Sequence, residues 1–174
     1  MTAREYFESI RRDVIEVARM EQNICDRAAR IGAAHGIASA ASGTGGIGGG
    51  ADGYTLADRE IDEELYLRKL RFELDRRKRQ LEGDLERATA VLYGRSGNGG
   101  LAKAERRADV DPETDAFCVC AYYLMGYATW EHVAMELASH KDVESGNATH
   151  WCRDRAAAAF AYIDRVGMAR LVDS

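Results

Sequence analysis

The chain has 174 residues, 46% of them apolar and 30% charged. That suffices for a modest domain with a real core and is too apolar for global disorder. The net charge of −5 matters less than its distribution along the chain.

One proline, Pro112, and a preference for Ala, Leu, Arg and Glu over β-branched residues point to helices throughout. Proline would remove a donor and clash with the preceding turn, and the common residues are good helix formers. The N-terminus, MTAREYFESIRR, has no apolar h-region, so no signal peptide is expected. The longest nearly uncharged run, Phe117 to Trp130, is too short and polar to cross a bilayer. Cys25, Cys118, Cys120 and Cys152 follow no disulfide-scaffold spacing and are expected as reduced thiols in a cytoplasm.

In chain order, residues 1–32 are expected as a first long helix. Phe7, Ile10, Val14, Val17, Ile24, Ala28 and Ile31 recur at alternating steps of three and four, with Glu21 in the one missing place. Gly32 reads as its stop. Residues 33–54 are rich in Gly, Ala and Ser and read as a flexible linker. This stretch contains a G-x-G-x-x-G at Gly43, Gly45 and Gly48, but no strand precedes it and no helix opens on its last glycine. It therefore does not read as a dinucleotide site.

Residues 55–94 are expected as a second long helix with the stripe Ile61, Leu65, Leu70, Leu74, Leu81, Leu85, Ala88 and Leu92, interrupted by Arg77. Acidic residues crowd its start, which suits the positive end of the helix dipole. Residues 52–67 carry one basic and six acidic residues, whereas residues 68–107 carry twelve and six. The strongest basic cluster is Arg68, Lys69, Arg71, Arg76, Lys78 and Arg79. It reads first as a solvated flank with Glu/Arg pairs at helical spacing, and second as a nucleic-acid patch.

Each long helix spans about 45–55 Å at 1.5 Å per residue, and neither apolar stripe is stable in water alone. The linker reaches roughly 25 Å. That favours an antiparallel, coiled-coil-like helical hairpin within the chain, with a homo-oligomer through the same helices as the rival.

Residues 95–110 are expected as a loop, and residues 111–174 as a C-terminal helical unit. Asp111-Pro112-Glu113 is a helix start: a capping side chain, proline at the first helical position, then an acid. Phe117, Cys120, Ala121 and Leu124 would face the core, and Gly126 would end the helix. Thr129 would cap the next helix, which buries Trp130, Val133, Ala134 and Leu137. A polar loop leads to a last helix burying Cys152, Ala156, Ala159, Phe160 and Ile163. Three short helices of this kind suit a helix-turn-helix.

The stretch AYYLMGYATWEHVAMEL, Ala121 to Leu137, resembles sigma-factor region-4-like helix-turn-helix proteins of phages and prophages. These are grouped with late transcription regulators of the ArpU/RinA type. The layout of the whole chain is similar, from the MxAxEYxxxIRR start through the Gly-rich break to the C-terminal unit. The resemblance implies a DNA-binding transcription regulator in the cytoplasm of a bacterial host. Double-stranded DNA would be the main partner, and the helical arm would oligomerise or contact RNA polymerase.

On this view the helix from Asn147 is the recognition helix, and Asn147, Thr149, His150, Arg153 and Arg155 are its DNA-binding candidates. The loop before it is longer than the family's tight turn, and Asp154 lies among the few basic residues. The alternative is a phage structural, assembly or packaging protein, resembling a small terminase subunit or a coiled-coil adaptor, whose trihelical head binds protein.

Cys118, Cys120, Cys152, His132, His140 and His150 do not read as a metal site, because C-x-C on a helix separates the thiols by about 200°. No nucleophile–base pair or carboxylate dyad stands out. The expectation is no enzyme, no cofactor, no metal, no small-molecule substrate and no membrane partner.

Overall fold

The structure, a computed structural model, describes residues 1–41, 56–104, 111–140 and 148–173. Every regular element among them is helical: α1 (Ala3–Ala41), α2 (Leu56–Tyr93), a 3-10 turn (Leu101–Lys103), α3 (Pro112–Val119) running into a π-helical turn (Cys120–Leu124), α4 (Trp130–His140), α5 (Ala148–Val166) and α6 (Met168–Val172). The all-α class is as expected. No described helix is long and apolar enough to cross a membrane.

The chain divides into two compact units: a larger one of Met1–Ile15 with Gln80–Ser174, and a smaller one, Glu16–Arg79. This division differs from the expected segmentation. The first turns of α1 and the last turns of α2 belong with the C-terminal helices: Phe7, Ile10 and Leu92 are fully buried, and the Phe7 ring meets those of Tyr123 and Phe160.

In the larger unit α5 packs on both α3 and α4, and the 3-10 turn packs on α3. The start of α3 is built as its residues dictate. Asp111 Oδ1 accepts from the Glu113 and Thr114 N–H groups at 3.1 and 3.2 Å, Oδ2 accepts from the Thr114 hydroxyl at 2.6 Å, and Pro112 follows as the first helical residue. These contacts satisfy donors that the first turn leaves free. Gly126 sits at φ 71, a left-handed conformation natural to glycine. A Cβ there would come within 3.0 Å of Val14 Cγ1, so the turn is closed by conformation and by space together.

The expected apolar face of α3 needs correction. Phe117 and Cys120 are only half-buried, while Thr114, Asp115, Ala116, Cys118, Val119, Ala121, Tyr123 and Leu124 are buried. Ala121 and Leu124 are buried as expected, and the face of α3 that is packed is the one turned to α5, where Asp115 and Cys118 meet Arg155 and Cys152. The Met125 N–H donates to the Cys120 carbonyl at 2.9 Å, a spacing of five that rotates the register beyond it. On α4, Val133, Ala134 and Leu137 are buried as expected, and Trp130 is half-buried. On α5 the five expected core residues, Cys152, Ala156, Ala159, Phe160 and Ile163, are the five that are buried.

In the smaller unit Val17 and Ile24 of α1 and Leu67 and Leu74 of α2 are buried. Glu16 pairs with Arg77, Glu21 with Lys78 and Arg27 with Glu63. The Arg27 guanidinium also lies 4.9 Å from the Tyr66 ring centre.

Three expectations about the long helices are corrected. α1 does not stop at Gly32 but continues to Ala41, so the linker cannot begin at residue 33. The added segment is rich in Ala, the strongest helix former, and a Cβ at Gly32 would meet nothing. On α2, Ile61 and Leu65 are 57% and 48% exposed, and Leu67 is buried instead. Buried positions then recur every seven residues at Leu67, Leu74, Leu81 and Ala88, the period of a helix paired along its length. The expected loop 95–110 contains the 3-10 turn, with Leu101 and Ala102 buried. Residues 42–55, which hold Gly43, Gly45 and Gly48, and residues 105–110 lie outside the described residues.

Leu74 tests the smaller unit's core. Leu74→Ala is expected to lose about 2–5 kcal/mol from the unit that contains it, by lost transfer energy and a residual cavity. Exposed Arg79→Ala should stay within about 0.5 kcal/mol. Thermal melts followed by circular dichroism check both, and coincident curves for Leu74→Ala and wild type would rule out this core.

Candidate nucleic-acid interface

The larger unit is organised around α5, whose rotation is set by one ion pair. Asp115, fully buried on α3, receives Arg155 Nε at 2.5 Å. The Arg155 side chain is only 18% exposed, and its guanidinium lies 5.9 Å from the Trp151 ring centre. Arg155 Nη2 is buried without a hydrogen-bond partner. A charge pair this enclosed is held by its own Coulomb attraction and hydrogen bond, since water cannot replace either partner.

Beside this pair, Cys118 and Cys152 are both fully buried and share a thiol hydrogen bond. That bond, together with burial, pushes the Cys118 thiol well above its ordinary range. The two sulfurs are core atoms of the α3–α5 contact. No group of three or more metal-ligating side chains occurs among the described residues.

Two residues apart on a helix means about 200° of rotation. With Arg155 turned inward, Arg153 falls on another side of α5, and it is exposed. Thr149, one turn earlier on the same face, is half-exposed, and His150 is exposed. Thr149, His150 and Arg153 thus lie along the first two turns of α5, with His150 and Arg153 exposed and Thr149 half-buried in line with Ala156 of the packed face. The structure separates Arg155 from them and assigns its charge to Asp115. Asn147 lies outside the described residues.

α4 begins beside them. The Thr129 hydroxyl accepts from the His132 N–H at 3.3 Å. The Trp130 ring stacks on Tyr122 with centroids 4.0 Å apart and planes 8° from parallel. The Arg11 guanidinium lies 3.7 Å from the Tyr122 ring centre and donates to the carbonyls of Tyr122 and Ala128. Tyr123 meets Phe7, Phe160 and Trp130 edge-on. The Tyr122-Tyr123 and Trp130 positions are thus an aromatic cluster that ties the first turns of α1 to α4 and α5. Asp164 Oδ1 accepts from the Ala3 N–H at 2.6 Å and strengthens that tie.

A half-open cleft of about 830 Å³ lies over this cluster, with Arg4, Glu8 and Arg11 on one wall and Arg153, Asp154 and Asp164 on the other. Arg4 is taken by Glu8 at 2.8 Å, and Arg11 by the two carbonyls. Among the described residues Arg153 has no ion-pair partner, so it is the cleft's available cation. Three arginines against three carboxylates leave the cleft neutral.

The second basic cluster lies on α2 in the smaller unit. Arg76 pairs with Glu73 at 2.8 Å and Lys78 with Glu21. Arg68, Lys69, Arg71 and Arg79 are exposed and have no ion-pair partner among the described residues. The expected Glu/Arg flank at helical spacing accounts for one of the six cations, Arg76, and the pair across the helices for a second, Lys78.

No family model, curated protein or solved structure matches the chain. Function therefore rests on this geometry and on the residues that carry it.

The buried pair has a direct test. Arg155→Ala is expected to cost about 3–5 kcal/mol, because it leaves the Asp115 carboxylate buried without its guanidinium. Pairing it with Asp115→Leu should recover much of the loss, since a small apolar pair has no charge to desolvate. Chemical denaturation of the single and double variants reads both values, and an Arg155→Ala variant as stable as wild type would remove the pair from the core.

Proposed function

We propose that the chain is a DNA-binding transcription regulator in which α4 supports α5 and the first two turns of α5 meet the duplex. The observation that carries this reading is the exposure of His150 and Arg153, with Thr149 half-exposed beside them, on a helix held at one rotation by the inward Arg155–Asp115 pair. Recognition helices contact base edges and phosphates from their N-terminal turns. A hydroxyl, an imidazole and an unpaired guanidinium are suitable donors and acceptors for such contacts.

In this reading α4 and α5 act as a helix-turn-helix similar to the sigma-like units of ArpU/RinA-type phage regulators. The paired parts of α1 and α2 act as an antiparallel helical hairpin. Three features support the hairpin: the buried positions of the two helices, their cross-helix ion pairs, and the order of those pairs. Glu16 meets Arg77 near the end of the smaller unit's α2 segment, and Arg27 meets Glu63 near its start. The hairpin would serve contacts with a second protomer or RNA polymerase. Asp154 beside Arg153, and the surplus of acids from residue 127 onward, give low nonspecific affinity. Stable residence on DNA then draws on a second protomer or polymerase.

The test is binding to a labelled random-sequence duplex over a range of salt concentrations, followed by recovery of preferred genomic fragments. Affinity should fall steeply with salt through counterion release. Arg153→Ala should weaken binding by about 1–3 kcal/mol, and Arg68→Ala should matter less. Binding that survives Arg153→Ala and His150→Ala but is lost with Arg68→Ala and Arg79→Ala would move the nucleic-acid site to α2. No binding at low salt, alone or with polymerase, would leave the assembly-protein reading in its place.

A further inference from the structure

We propose that the smaller unit carries a self-complementary seam by which two copies of this chain pair antiparallel through the outer face of α2. This inference rests on the reading that the hairpin contacts a second protomer, and its test uses no DNA, so the two can fail separately. The starting observation is three large apolar side chains in water: Ile61, Leu65 and Phe72 are 57%, 48% and 75% exposed. At 100° per residue, Leu65, Arg68 and Phe72 lie within about 40° of Ile61, whereas the buried Leu67 and Leu74 lie roughly on the far side of the helix. The spacing 61, 65, 68, 72 alternates four and three, as in the seam of a coiled coil. α2 thus has two stripes: one is buried, and the other has no cover among the described residues.

Charge selects the occupant. Residues 56–67 carry one basic and five acidic residues, and residues 68–79 carry seven and two. A parallel copy would set acid against acid and base against base. An antiparallel copy related by a two-fold axis sets each half against its opposite, and such an interface must be complementary to itself.

The register follows from the seam. With Ile61 against Phe72 of the second copy, Leu65 falls against the aliphatic stem of Arg68. On one flank Glu64 then faces Arg71, and on the other Asp62 faces Lys69. Both flanking pairs are opposite in sign, and each occurs twice by symmetry. Glu64, Lys69 and Arg71 are exposed and have no ion-pair partner among the described residues, so no internal pair competes for them. Asp75 follows Phe72 in the seam and carries a charge, which confines the apolar contact to Ile61–Phe72 and makes the dimer weak and reversible.

Sedimentation of the full chain across the micromolar range tests the seam. Wild type should approach twice the 19.2 kDa chain mass as concentration rises. Phe72→Glu should stay monomeric with an unchanged circular dichroism spectrum. Arg71→Glu should weaken association roughly tenfold or more by facing Glu64 of the copy. The double variant Glu64→Arg/Arg71→Glu should restore it. A monomeric wild type, or a dimer that survives Phe72→Glu, would overturn the seam. Failure of the charge exchange to restore association would overturn the antiparallel register.

Discussion

A carboxylate removed from water must meet a cation, and this requirement sets the larger unit. Asp115 is fully buried on α3, and Arg155 reaches it from α5. Because α5 is rigid, anchoring one residue fixes the direction of all the others. Cys152, Ala156, Ala159, Phe160 and Ile163 turn inward with Arg155. His150 and Arg153 are exposed. The exposed set proposed to read DNA is therefore a consequence of an interaction elsewhere on the helix.

The aromatic cluster plays a related part beneath the cleft. Phe7, Tyr123 and Phe160 meet ring against ring, and Trp130 lies flat on Tyr122. Rings packed this way fill large volumes with few rotamers, so α1, α4 and α5 are held at defined positions. The proposed interface would then be a surface on rigid elements. Its chemistry is modest: one unpaired guanidinium, one imidazole and one hydroxyl in a setting of neutral charge. Such a surface favours selectivity over raw affinity, which is why the account gives the long helices a role in holding the protein on its target.

Local signals were legible before the structure. The α3 cap could be read from Asp111 and Pro112, because capping depends on neighbouring residues. The buried face of α5 could be read residue by residue, because its three-four periodicity is unbroken. The same periodicity turns His150 away from the packed face, whereas Arg153, seven residues before buried Phe160, lies at the edge of that face and is exposed at the cleft. The resemblance groups Arg155 with Arg153, although two residues apart on a helix do not share a face. Its partner, 40 residues away, is not a local property. Phe7 was assigned to a helical stripe but not to the aromatic cluster, whose other members lie more than a hundred residues on. The π turn left no mark in composition or spacing. On α2 two apolar stripes overlap in sequence, and choosing between Leu65 and Leu67 needed the pairing helix. The extension of α1 past Gly32 and Gly36 shows alanine-rich sequence outweighing two glycines.

The central claim is that α5 presents Arg153 and withholds Arg155, and that the presented face meets DNA. Side-chain Nε–Hε resonances of the arginines, recorded by NMR on the full chain with and without a random-sequence duplex at low salt, test it most directly. The account predicts that the Arg153 signal shifts on adding DNA while the Arg155 signal, locked on Asp115, stays in place. A spectrum in which Arg153 is unmoved, or in which the arginines between Arg68 and Arg79 shift instead, would contradict it.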